Sequence, residues 1–80
     1  MLKLKVISPE KVIFSGEVDS VTVPGSQGCF EILNNHAPII SSLDKGQISF
    51  HTAQGETHQC DIAGGFVEVK RNEVNLAVEL

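Results

Sequence analysis

Three histidines and two cysteines are the residues of this 80-residue chain best suited to chemistry, and their spacing limits what they can do. His51, His58, Cys60 and Asp61 flank Gln54-Gly55, a turn that would fold them towards one another, and His58 and Cys60 share a face of an extended strand. Zinc asks for four ligands in tetrahedral geometry, commonly supplied by paired Cys or His motifs, and no such pair occurs. His51 and His58 are therefore read as belonging to the solvated side of a hairpin. Ser26 lies between glycines but lacks the strand, elbow and helix of a G-x-S-x-G nucleophile. A thiolate pair of Cys29 with His36 would need a positioned base and an orienting third group, and the sequence supplies neither. His36 reads instead as a polar loop residue bonded to nearby backbone or lying at an interface. No catalytic residue, metal ligand or cofactor is expected.

Two further short matches are partial. Gly25-Ser26-Gln27-Gly28 fits the bare G-x-x-G of a single-strand RNA clamp, a module that also needs flanking helices and a basic surface. Asp44-Lys45-Gly46 presents a lysine on a turn near mid-chain, which resembles a lipoyl or biotinyl carrier domain. Lipoyl domains show Asp-Lys-Ala and biotinyl domains place methionines beside the lysine, whereas here Gly46 follows and Leu43 precedes the aspartate. The plainer reading is that Asp44 and Lys45 fill a turn. The carrier alternative predicts a covalent adduct at Lys45.

The elements that would position these residues are strands. Leu2, Leu4 and Val6 alternate with Lys3 and Lys5, the pattern of a half-buried strand. Ser8-Pro9-Glu10 marks a turn, since Pro9 removes a ladder donor and restricts Ser8. Val12 and Phe14 are placed on one face of the second strand, and Val21 and Val23 follow in the opposite phase. That change of parity requires a bulge or bend between Gly16 and Ser20. Pro24–Gly28 reads as a loop, and Phe30 and Ile32 then alternate with Cys29 and Glu31. Ile48 with Phe50, Cys60 with Ile62, Val67 with Val69, and Val74 with Leu76 and Val78 repeat the period of two. Gly64-Gly65 signals a close backbone approach or a bulge. Arg71-Asn72 suits a tight hairpin with Asn72 at positive φ. Asn34–Leu43, with Pro38 and two adjacent isoleucines, reads as an irregular crossover. Ile39 and Ile40 must point to opposite faces, which leaves one of them outside the core as a docking point. Strands every 8 to 12 residues without a helical stripe suggest one all-β domain over residues 1–80, a sandwich or flattened barrel. Phe14, Phe30 and Phe50 are expected in its core.

Composition narrows the setting. A formal charge of −4 with Lys3, Lys5, Lys11, Lys45, Lys70 and Arg71 scattered along the chain gives no nucleic-acid footprint. Cys29 and Cys60 read as free, half-buried thiols of a reducing compartment. Lys3 and Lys5 interrupt the only apolar run near the start, so no signal peptide is expected there. No stretch approaches the roughly 20 apolar residues of a membrane span. A soluble β domain that docks, working beside a membrane at most, is the reading from the residues alone.

Phe14-Ser15-Gly16, Val23-x-Gly25-x-x-Gly28, Ile32-Leu33, His36-Ala37-Pro38-Ile39, Leu43-x-x-Gly46 and Gly64-Gly65-Phe66-Val67-Glu68-Val69 stand in an order and spacing that covers the whole chain. Together they resemble the N-terminal domain of the epsilon subunit of F-type ATP synthases, called delta in mitochondria. The resemblance implies an antiparallel β-sandwich of about ten short strands. It implies a non-catalytic rotor subunit at the foot of the central stalk, bound to the gamma subunit and the c-ring and coupling proton flow to ATP synthesis. The alpha–beta hexamer would be met only indirectly, and the setting would be peripheral, on the cytoplasmic face of a bacterial inner membrane. By motif position, His36, Ile39, Ile40 and Ser41 would line the gamma side, and Ser26, Gln27, Cys29 and Glu31 the ring side. Cys29 and Glu31 depart from the family's usual acidic or polar residue and small residue. Family members usually continue into a C-terminal helical hairpin. The chain ends at Leu80, so neither helical-hairpin inhibition nor nucleotide binding through such helices is expected of it. A β-sandwich adaptor of some other assembly is the remaining alternative.

Overall fold

The computed structural model describes residues 2–35 and 37–80. All the regular structure among them is β, in eight strands: β1 (Leu2–Ile7), β2 (Val12–Gly25), β3 (Gly28–Ile32), β4 (Ile39–Leu43), β5 (Gly46–Thr52), β6 (Thr57–Ile62), β7 (Gly64–Lys70) and β8 (Glu73–Glu79). They follow the order β1-β8-β7-β4-β2-β5-β6, with β3 added on β2 and β1 also paired to β2. The count falls below the expected ten or so strands because β2 is fourteen residues long and serves two layers. Its first half pairs β1, and its second half lies between β3 and β5. A strand that changes sheet needs a bend. The bend is the register shift between Val18 and Ser20, where the change of parity in the sequence requires one.

Alternation then fills the interior. Leu2, Leu4 and Val6 of β1, Val74, Leu76 and Val78 of β8, and Val67 and Val69 of β7 are all buried. From the other layer Val21, Val23, Ile32, Ile48, Phe50 and Ile62 complete one continuous core. Phe50 is 5% exposed, whereas Phe14 and Phe30 are only half-buried and pack against the core margin. Gly65 shows why a glycine is needed at its position. Its φ is 149°, and a Cβ there would lie 2.2 Å from the Ala77 carbonyl oxygen, so β7 and β8 meet backbone to backbone.

Three local expectations give way to tertiary context. Val12 and Phe14 lie on opposite faces, since the register slips from Val6↔Phe14 to Ile7↔Val12 and Ile13 is the extra residue. Half of Asn34–Leu43 is regular strand: β4 pairs β7 from Ile39↔Val69 to Leu43↔Gly65. Arg71, not Asn72, takes positive φ (52°) in the β7–β8 turn, while the Asn72 side-chain oxygen accepts the Asn35 N–H at 2.8 Å. The first and last strands, β1 and β8, are parallel neighbours in an otherwise antiparallel structure.

Candidate docking surface

Because side chains alternate across each strand, the residues left out of the core form two outer faces. The outer face of β1, β8, β7 and β4 is built in cross-strand rows. One row runs Ile7, Ala77, Phe66 and Ser42, and the next runs Lys5, Asn75, Glu68 and Ile40. Val12 adjoins Ile7 through β2. Ile40, Val12, Phe66 and Ile7 are 75, 56, 54 and 37% exposed, so large apolar side chains line up on one side of the molecule. Contiguous exposed apolar surface of this kind is suited to docking another molecule. Four of the basic residues, Lys3, Lys5, Lys70 and Arg71, gather on this face and its rim, interleaved with Glu17, Glu68, Glu73 and Glu79. The face is thus electrically neutral, and Lys70 and Glu68 approach to 3.8 Å.

The outer face of β3, β2, β5 and β6 is different. It carries Cys29 and Glu31, then Thr22, then Gln47, Ser49 and His51, then Thr57, Gln59 and Asp61. Gln47 donates to the Asp61 carboxylate at 3.3 Å, and a 3.1 Å hydrogen bond joins His51 Nδ1 to Thr57 Oγ1.

The residues singled out in the sequence fall on these faces as follows. Ile40 points outward, while Ile39 packs against the core and Ser41 shares Ile39's side of the strand. His36 lies outside the described residues. Ser26 and Gln27 form the two-residue tip of the β2–β3 hairpin, closed by Gly25↔Gly28. Cys29 and Glu31 are exposed on the outward side of β3. Cys29 is therefore not half-buried, because it falls in the solvent phase between Gly28 and Phe30 on a strand paired only to β2. The strand that carries Ile39, Ile40 and Ser41 reaches the hairpin tip through its next residue: Ser42 Oγ lies 3.1 Å from Ser26 Oγ, and the Ser26 N–H donates to the Ser42 carbonyl. A path thus runs from Ile40 through Ser42 to the hairpin tip.

The groups considered for chemistry are separated. Phe50↔His58 and His51↔Thr57 are cross-strand pairs, so His51 and His58 occupy opposite faces of the β5–β6 hairpin instead of one solvated side. The His58 ring stacks on Phe50 at 5.4 Å, and its Nε2 lies 3.4 Å from Glu56. Among the described residues no group of three or more His, Cys, Asp and Glu is placed to hold a metal ion. Lys45 is exposed, but it sits where the chain passes between β4 and β5, strands that do not pair with each other. It is not displayed on a hairpin, and the adjacent Asp44 N–H is fixed to the Pro24 carbonyl at 2.8 Å.

Ile7 and Phe66 are not among the residues expected at either docking side. Each is a large apolar side chain in the solvent phase of its own strand, out of step with Leu2, Leu4 and Val6 or with Val67 and Val69. That phase error is the signal in the sequence.

Comparison with known proteins supplies the family. Residues 1–79 match the model of the ATP synthase delta/epsilon-chain β-sandwich domain. An ATP synthase epsilon chain of Leptospira interrogans is 44% identical over 78 residues, which are 98% of this chain and 61% of that protein. The chain thus spans less than two thirds of that relative's length. Among solved structures, a chain of the Euglena gracilis mitochondrial ATP synthase (OSCP/F1/c-ring) superposes with a TM-score of 0.89 at 23% identity, over 96% of this chain and 49% of that one. A chain of the Tetrahymena thermophila mitochondrial ATP synthase central stalk and c-ring gives 0.82 at 15% identity, over 99 and 63%. Sequence family and fold agree, and this chain belongs to the delta/epsilon-chain β-sandwich family of ATP synthase.

Proposed function

We propose that the chain is a non-catalytic rotor component of an F-type ATP synthase central stalk, held to the gamma subunit by its apolar outer face and meeting the c-ring through the β2–β3 hairpin. The observation that carries this reading is the exposure of Ile7, Phe66 and Ile40, from two adjacent cross-strand rows, on one electrically neutral side of a small domain. A partner that covers it removes from water the apolar surface that the fold cannot bury. On the ring side, Ser26, Gln27, Cys29 and Glu31 offer a polar tip and one carboxylate, suited to polar loops. Family membership supports the assembly, and the continuity of Ile40, Ser42 and Ser26 lets one rigid domain touch both partners. Its place would be peripheral, on the cytoplasmic face of a bacterial inner membrane, coupling proton flow to ATP synthesis through rotation. Mixing the chain with a gamma subunit from the same organism and recording a native mass spectrum tests the reading. A one-to-one complex that Ile40→Asp weakens is the expected result. A folded chain that forms no complex would overturn it.

A further inference from the structure

Within the apolar face lies a groove that runs along β8. Ala77, half-buried, is its floor, with Gly65 at the far end. Ile7 of β1 forms one wall and Phe66 of β7 the other. Strands are spaced about 4.8 Å apart, so the backbones that carry the two walls stand about 10 Å from each other, and the wall side chains leave between them a trough for one ridge of a helix laid on top. From Asn75 to Glu79 the groove runs about 14 Å, enough for between two and three helical turns. Its rims carry opposite charges at the level of Asn75, Lys5 on the β1 side and Glu68 on the β7 side.

On the reading that this face docks a gamma subunit, we infer that the groove over Ala77 is the anchoring site, taking the apolar ridge of a single partner helix laid along β8. A helix fits because its ridge of side chains, three and four residues apart, needs a trough with a small floor and taller walls. Ala77 between Ile7 and Phe66, with Gly65 at the end of the trough, provides that relief. The rims set direction. The seated helix would carry an acidic side chain towards Lys5 and a basic one towards Glu68, so a reversed helix would meet like charges.

The test uses the whole chain and the gamma subunit. Ala77→Phe fills the trough from an outward position and should weaken binding on the order of a hundredfold, while Gln59→Phe on the opposite face should leave it unchanged. Circular dichroism confirms that each variant is folded. If Ala77→Phe unfolds, Ile7→Asp and Phe66→Ser carry the same expectation. A photoreactive residue at Ile7 or at Phe66 should cross-link to gamma positions three or four residues apart. Alternate positions would indicate a strand and overturn the inference. Should the parent bind gamma and Ile40→Asp weaken it while Ala77→Phe binds like the parent, the groove is not the anchor although the docking reading stands. A parent that binds no gamma removes both. Binding to phosphatidylglycerol vesicles that Ala77→Phe abolishes and gamma fails to displace would assign the groove to a lipid surface, against the inference.

Discussion

The two outer faces of this sandwich obey the same alternation and end in opposite chemistry. On the β1/β8/β7/β4 side the outward positions include Ile7, Phe66 and Ile40, and charges of both signs cancel. On the β3/β2/β5/β6 side the strand positions are Cys29, Glu31, Thr22, Gln47, Ser49, His51, Thr57, Gln59 and Asp61, and the large apolar residue exposed next to them, Leu33, lies beyond the end of β3. Both faces cover the same core, so stability alone does not explain the difference. An outward isoleucine adds nothing to a core that it does not touch, and it exposes apolar surface to water at a cost. Its presence on one face only supports the proposal that this face, rather than the polar one, docks a partner.

The comparison can be broken or sharpened by substitution. The largest effect should come from the layer between the faces. Phe50→Ala removes a buried side chain that packs against Phe14 in a tilted arrangement, ring centroids 4.5 Å apart, and should cost about 3–5 kcal/mol in a urea melt. A melt like the parent's would mean that Phe50 does not face the core. Gly65→Ala comes next, at about 2–3 kcal/mol, because any Cβ meets the Ala77 carbonyl while φ remains positive. A smaller loss would show that β7 and β8 can separate there. Substitution of the faces themselves should leave stability within about 0.5 kcal/mol. There, Ile40→Asp is expected to weaken gamma binding by about 2 kcal/mol or more, and Ser49→Asp not at all. Equal effects from the two would erase the distinction between the faces. The smallest change is Glu31→Gln, which should alter ring association by about 0.5 kcal/mol, more at low salt than at high. An effect independent of salt would argue that Glu31 does not act through its charge.

Much of this was legible in the residue order, unevenly. β1 and β8 are written in full alternation, and every apolar residue assigned inward there is buried. The bend in β2 shows as a change of parity, and Gly65 as a doubled glycine. β4 is less visible, since its partner β7 lies far along the chain and Pro38 and the paired isoleucines mask its period. The bulge at Ile13 inverts Val12 through one extra residue, which no pattern within β2 reveals. Of the docking surface, Ile40 is marked by its isoleucine neighbour. Ile7 and Phe66 become a site only when β8 is placed between their strands, because one apolar residue in a solvent phase is ordinary and a row of them is not.

The parallel pairing of β1 with β8 has a consequence for how the domain is made. Lys3 through Ile7 find their partners at Glu73 through Ala77, so this ladder closes a loop containing nearly the whole chain. Contacts so distant in sequence carry the full entropy of loop closure before they return any stabilisation. During synthesis the first strand can pair only with β2 until β8 has left the ribosome. The domain should then fold late and all at once, on the millisecond-to-second scale of non-local β topologies.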